Sequence, residues 1–555
     1  MKEDMKGLYA AILLSMAVIF ATNWLFPKKD AAQSNAAEPV KAELTAKPAA
    51  EETPAAVSSD IAAVLKADKR ISFDNAAVRG SIRVKGARFD ELYLNKYKKT
   101  LEPGSEDVEL LAPAQTKAPY YAEFGFIDAD NKLKLPDSET LWTVKGGKLT
   151  PQTPVVLEWN NGQGLKFVRK ISLDDNYMFK IEQSVENNGG AKVTLYPYGL
   201  INKTYVEGEN TTRVVHEGMS GVLDSTLKEI KYSALKDDKK EEFKSKGGWA
   251  GFSDHYWFSA LILNNGQKSS VKFSQTGENR YQTDFVGAPL SIEPGSVGTA
   301  EHRFFAGAKE ITLLDKYSKD LHIDKFDLAV DFGWYYFLTK PFFYILDFLY
   351  KFIGNMGWAI LLFAALLRLA MFPVANKSYE SMSKMKKVQP KIQSLQEKYK
   401  DDKMKLQQEM MELYRKEKIN PASGCLPMLI QIPVFFSLYK VLNIAIEIRH
   451  APFVGWIKDL SAPDPLTVSV ITHIPLPGFL DIGVWPIIMG LTMYIQQKLN
   501  PKPANPDQAR MFALMPIIFM FMLGHFASGL VIYWTLSNIL SIIQQKVIMK
   551  KIGVD

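Results

Sequence analysis

The chain has 555 residues, 47% of them hydrophobic and 12% aromatic, with a formal net charge of +7. That length predicts three or four domains; the modest charge, with no long polybasic stretch, argues against nucleic-acid readout, and the single cysteine, Cys425, excludes an internal disulfide. A mean hydropathy of −0.09 would suit a soluble protein, but it averages a polar half (residues 30–330) and a half of long apolar runs broken by one charged block (residues 341–550).

The first apolar run, Leu8 to Phe26, is about as long as the ~20 residues needed to cross a ~30 Å hydrocarbon core. A cleaved signal peptide is the alternative, but its only small-residue site, around Ile19–Ala21, is poor. Residues 1–29 therefore read as an uncleaved anchor. Residues 30–65 are almost entirely Ala, Glu, Pro, Lys, Thr and Ser. Such a segment cannot bury enough apolar surface to offset ordering entropy, so a disordered tether is expected.

From about Ile71 the pattern changes to short alternating strands, such as Val155–Trp159, Leu165–Leu173, Met178–Glu186 and Lys192–Tyr198. Asn160-Asn161-Gly162 and Asn187-Asn188-Gly189-Gly190 mark turns. This spacing predicts an antiparallel β-sandwich over 66–320, closing in a helix near Glu310–Lys319. His216, His255, His302 and His322 have no metal-ligand spacing, and no nucleophile elbow, phosphate loop or HExxH pattern is present. Gly251–Leu261, which holds His255 among aromatics, reads as a core strand with a satisfied histidine.

Pro341–Phe352 is too short to span and mixes aromatics with Asp347 and Lys351, so 335–353 is expected to lie in the interface as an amphipathic helix. Five apolar runs follow at Gly354–Pro373, Gly424–Asn443, Ile482–Leu499, Met511–Ala527 and Leu530–Val547. Only Ser528–Gly529 separates the last two, which predicts a tight hairpin. Between the first two of these runs, residues 377–418 carry twelve basic residues against seven acidic ones. Positive charge stays cytoplasmic, so six spans are expected, with both termini inside and 30–340 outside. Within the basic block Met382, Met385, Val388, Ile392, Leu395 and Tyr399 form one helical stripe, and Leu406, Met410, Leu413 and Tyr414 a second. Asp401–Asp402 make the turn of this helical hairpin, Asn420–Pro421 end it, and Pro390 is a candidate kink.

Arg368 lies inside the second span, five residues before Pro373. It either snorkels to the cytoplasmic headgroups or faces a wet cavity between helices. Gln431, Gln496, Gln497 and Trp534 are candidate co-lining groups. The fifth span is rich in Met and Phe, including Met515, Phe519 and Met522, a flexible surface suited to varied partners.

Met382–Gln393 (MSKMKKVQPKIQ), Gln408–Tyr414 (QEMMELY), Asn420–Pro433 (NPASGCLPMLIQIP), Leu369–Pro373 after Arg368, and Ser528–Trp534 (SGLVIYW) together resemble the YidC/Oxa/Alb membrane insertases. The anchor and large β-domain resemble that family's Gram-negative form. The resemblance implies a bacterial inner-membrane protein with a five-helix core over 354–550 and no enzyme activity. It also implies a sugar-epimerase-like periplasmic sandwich without a sugar-enzyme site. Arg368, Gln431 and Trp534 match groove positions, and Gln497 matches less closely. Ala364 stands where some relatives carry a hydroxyl. The substrate slide implied for the third and fifth spans maps onto Leu429, Ile432, Phe435, Phe436, Met515, Phe519 and Met522. A recruitment role for the basic hairpin falls on Lys384, Lys386, Lys387 and Lys391. The partners implied are nascent membrane proteins, the Sec translocon and its accessory subunits, the ribosome or signal-recognition pathway, and anionic lipids. No cofactor or metal is implied. A transporter would show inverted repeats, a sensor an output module, and a tethered folding factor would lose all activity on deletion of 66–320.

Overall fold

The structure is a computed structural model that describes residues 61–206, 215–235, 240–400, 402–417, 426–501 and 506–553. These all fall within one compact unit that begins at Ala46. The first apolar run, most of the tether, Cys425 and Asn420–Pro421 lie outside the described residues. The last part of the expected tether is helical: α1, Ile61–Ala67, is rich in the strong helix formers Ala, Leu and Lys.

Two antiparallel sheets form the next layer. The ten-stranded sheet runs through Arg70–Asp74, Val78–Arg83, Arg88–Lys98, Tyr120–Ile127, Val193–Thr204, Arg280–Val286, Ser269–Gly277 and Lys240–Ser245, with Asp107–Leu111 paired to Arg88–Lys98 and Leu290–Ile292 to Val193–Thr204 off this path. The nine-stranded sheet runs through Thr226–Ile230, Gly218–Leu223, Gly248–Ser253, Trp257–Leu263, Val297–Ala308, Met178–Asn187, Leu165–Leu173, Val155–Asn160 and Thr143–Lys145. The alternation that predicted Leu165–Leu173 is its burial pattern, with Leu165, Phe167, Ile171 and Leu173 turned inward beside a buried Arg169. The core between the sheets is aromatic. Phe73, Phe89, Phe179 and Phe304 meet edge-on or tilted at centroid distances of 5.2–6.1 Å, the geometry their quadrupoles favour. Helix α2 (Ile311–Asp320) closes this domain through buried Ile311, Leu313, Leu314 and Tyr317.

Gly251–Leu261 is not one strand. Gly248–Ser253 and Trp257–Leu263 pair as a hairpin, with Ser253 opposite Phe258, and Asp254–Tyr256 form the turn. His255 therefore points away from the sandwich core.

The helical half begins with α3 (Tyr336–Ile353), which buries Phe342, Phe343, Leu346 and Leu349 and exposes Phe337, Phe348 and Phe352. Next come α4 (Met356–Ala370), α5 (Phe372–Lys398), α6 (Lys403–Lys416), α7 (Leu426–Ile444), the short α8 (Val468–Thr472), α9 (Val484–Leu499), α10 (Pro506–Leu523) and α11 (Ser528–Ile552). Among the described residues no single helix is long and apolar enough to cross a membrane, whereas α4 and α5 pass together as a pair bent by 66°. The bend falls at Met371, and Pro373 occupies the first turn of α5, where a missing N–H is harmless. Helix α5 continues through Pro390.

The hairpin of α5 and α6 has the core expected of its two stripes. Val388 and Ile392 are buried against Met385, Met410, Leu413 and Tyr414, and Asp402 caps α6 by accepting from Lys405 N at 3.0 Å. The turn between the last two helices differs from the sequence expectation. It is Gly524–Ala527, and Ser528 and Gly529 already belong to α11. Their N–H groups, which α11 itself cannot satisfy, donate to Ala462 O at 2.8 Å and Leu460 O at 3.0 Å.

Candidate functional site

Helix α11 is long enough to span at 25 residues, but its inner face is polar. Ser528, Thr535, Ser537, Asn538, Ser541, Gln544 and Gln545 are all buried. Tyr533, Ser537 and Ser541 recur every four residues and so share one face. Arg368, half-buried near the end of α4, reaches that face. Its Nη2 donates to Ser537 O at 2.9 Å and to Ser541 Oγ. Ser541 Oγ in turn donates to Ser537 O at 2.7 Å. One turn further along, Gln431 Nε2 of α7 donates to Tyr533 OH at 3.1 Å. Arg368 and Gln431 thus sit on one polar stripe formed by α11.

Trp534 is next to Tyr533 in the chain and so points about 100° away around the helix. It packs between Phe435 of α7 and Phe519 of α10, at centroid distances of 4.7 and 5.6 Å. Gln497 does not join these groups; its Nε2 donates to Phe512 O on α10. Ala364 is buried. The apolar candidates divide by exposure. Leu429, Ile432, Phe436 and Met522 are exposed, and Phe435, Met515 and Phe519 half-buried. Among the hairpin lysines, Lys384 pairs with Glu380 at 3.1 Å, Lys391 with Glu417 at 2.7 Å, and Lys387 donates to Ile552 O at 3.3 Å. Lys386 is half-buried.

Sequence reasoning missed the acceptors Tyr533, Ser537 and Ser541. Their four-residue spacing was visible, but small hydroxyls barely move a hydropathy profile. It also missed how the β-domain holds the helices. Lys440 of α7 pairs with Asp331 at 2.7 Å, and His255 Nε2 donates to Asn443 O at 2.6 Å. Arg449 Nη2 donates to the carbonyls of Lys98 and Lys99 at 2.8 and 3.1 Å. Burial at this joint pushes the His255 imidazole below its ordinary value, which keeps it a neutral donor. No cluster of metal-ligating side chains occurs among the described residues.

Two family profiles cover the described domains: that of the YidC periplasmic domain matches residues 70–345, and that of the 60Kd inner membrane protein matches residues 348–554. The membrane protein insertase YidC of Rickettsia bellii is 45% identical over 99% of this chain and 100% of its own length. That of Beijerinckia indica is 45% identical over 100% of this chain and 97% of its own. That of Brucella suis is 50% identical over 89% and 82%. The chain therefore belongs to the YidC family of inner-membrane proteins, which are not enzymes but insertases whose substrates are other membrane proteins.

Proposed function

We propose that Arg368, with Gln431, receives the polar, often acidic, segment of an incoming chain, while its apolar segment moves into lipid along α7 and α10. The observation that carries this reading is the polar stripe of α11, with Arg368 and Gln431 on it, beside the exposed Leu429, Ile432, Phe436 and Met522. A guanidinium attracts a carboxylate more strongly in a partly dry groove than in water. Trp534, held between Phe435 and Phe519, separates the polar stripe from the slide. Gln497 serves the α9–α10 contact in this reading rather than the groove.

The arrangement in the membrane follows charge and length: six spans, both termini cytoplasmic, and 30–340 periplasmic. Helix α9 has 16 residues, about 24 Å at ~1.5 Å per residue, which favours a thinned bilayer at the core. No nucleotide is needed. Burial of apolar substrate supplies about 25 cal/mol per Å², and the membrane potential about 2.3 kcal/mol per charge per 100 mV on acidic residues. The hairpin, with Lys384, Lys386, Lys387 and Lys391, meets anionic headgroups and the ribosome or signal-recognition pathway, and the core works alone or beside the Sec translocon.

Depletion followed by complementation tests the role of the arginine. Arg368→Ala is expected to abolish insertion of substrates with acidic translocated segments. Arg368→Lys is expected to restore it in part, because a single ammonium keeps the charge but not the planar fork. Full restoration of every substrate by both variants would remove the charge from the mechanism.

A further inference from the structure

Between Asp464 and α9 the chain closes on itself. Val468 N donates to Ile482 O at 3.0 Å and Val484 N to Leu466 O at 3.1 Å, with Thr467 and Gly483 paired between them. The neck is built from carboxylates. Asp464, 3% exposed, accepts from Leu466 N at 3.0 Å, Trp456 Nε1 at 2.9 Å and Trp485 N at 2.8 Å. A Cβ on Gly483 would collide with the Asp464 side chain, so the close approach requires glycine. Asp481 accepts from Thr467 Oγ1 and Ser469 N, both at 2.9 Å. From the turn between α10 and α11, His525 Nε2 donates to Gly478 O at 2.9 Å.

The tip has the opposite chemistry. Pro465–Leu480 contains no Lys, Arg, Asp or Glu, yet Val470, Ile471, Ile474 and Phe479 are 53, 51, 59 and 70% exposed. Each such side chain is stabilised by leaving water for an apolar surrounding. A protein partner would normally be met by a charged or polar rim around an apolar centre; here the whole tip lacks charge, and the carboxylates are confined to the neck. The neck leads directly into α9, whose Ile487 and Leu491 are exposed one and two turns in.

We infer that loop 466–482 is an outer-leaflet anchor, its apolar tip inserted among the acyl chains of the extracytoplasmic leaflet while the hydrogen-bonded neck stays at headgroup level. The anchor sets the depth of the outer end of α9 and, through His525, of the α10–α11 turn. Amphipathic segments bind membranes in this way, an apolar part below the headgroups and a polar part among them. The inference rests on the reading that α9 crosses the bilayer with Val484 outside.

The test uses the full chain in the Cys425→Ser background, reconstituted in phosphatidylethanolamine–phosphatidylglycerol vesicles. Single cysteines at Ile471, Ile474 and Phe479 carry an environment-sensitive fluorophore, with Leu491 of α9 and Glu102 of the β-domain as references. The expected result is blue-shifted emission and quenching by nitroxide lipids at 471, 474, 479 and 491, and quenching by iodide alone at 102. Iodide quenching of all three loop sites, with 491 lipid-quenched, overturns the anchor and leaves the α9 reading standing. Shielding of the loop sites from both quenchers identifies a protein cover, such as a second copy, and also overturns it. Iodide quenching at 491 as well overturns both readings.

Discussion

The β-domain and the helical core are built by opposite rules. In the β-domain the largest fully buried side chains are aromatic, among them Phe73, Phe89, Tyr177 and Trp249, and among the described residues only Leu101, Leu141 and Val297 are large apolar residues left exposed. In the helical half exposed large apolar residues are common, from Trp334 to Val547. The groups withdrawn to the inside of its last helix include Ser537, Asn538, Ser541, Gln544 and Gln545. Three of these side chains donate through their amide nitrogens to groups on or at the end of neighbouring helices. Asn538 donates to Thr492 at 3.1 Å, Gln544 to Asn376 at 2.7 Å and Gln545 to Asn500 at 3.1 Å. One chain thus answers to two solvents. Water rewards hiding apolar surface, whereas lipid does not and instead requires every polar group to be satisfied within the protein.

The largest effect expected from this contrast is in the β-domain. Trp249→Ala empties a fully buried site and should lower stability by about 3–5 kcal/mol. Ile543→Ala, on the exposed face of α11, should stay within about 0.5 kcal/mol. Thermal unfolding of the two full-length variants in detergent checks the pair, and equal losses would break the contrast. The joint between the regions comes next. A double-mutant cycle with Lys440→Met and Asp331→Asn should give a coupling of about 1.5–3 kcal/mol, as for a hydrogen bond to a charged group. A value near zero would mean that the β-domain is not held through this pair.

A pH-dependent effect is expected at Glu447, just beyond α7. Burial pushes its carboxyl up to about 8, with the Glu310 and Asp347 carboxylates adding to the shift, and Oε2 finds no hydrogen-bond partner among the described residues. A carboxyl raised in the folded protein contributes its full stability below its ordinary value of 4.5 and loses it as pH rises through about 8. Glu447→Gln should therefore flatten the fall in Tm across that window and leave the variant the more stable protein at pH 9. Parallel Tm-against-pH curves for the two proteins would show that Glu447 does not titrate within the window.

Much of this architecture was legible beforehand, because each solvent leaves its own period. The two-residue alternation located Leu165–Leu173 and, to within one residue of its end, Met178–Asn187, and the three-and-four spacing located the α5–α6 core at Val388 and Ile392. The hidden features depend on contacts distant in sequence. The apolar run was expected to end at Pro373, and the backbone turns two residues earlier, at Met371. Ser528 and Gly529 looked like a turn until Ala462 and Leu460 supplied acceptors for the start of α11. His255 looked like a strand histidine and instead spans the joint to Asn443. At the site, Arg368 was identifiable as a charge in an apolar run. Its partners were not, since nothing local to Ser537 or Ser541 announces an arginine 169 or 173 residues away.

The central claim is that substrate passes along α7 and α10 beside the polar stripe of α11, and not over apolar lipid-facing surface in general. Photo-crosslinkers placed at Leu429, Phe436 and Met522, and separately at the equally exposed Leu491 and Ile543, test it on ribosome-stalled chains of a dependent membrane protein. The account predicts adducts from 429, 436 and 522 that weaken with Arg368→Ala, and only background from 491 and 543. Equal adducts from all five positions, unaffected by Arg368→Ala, would contradict it.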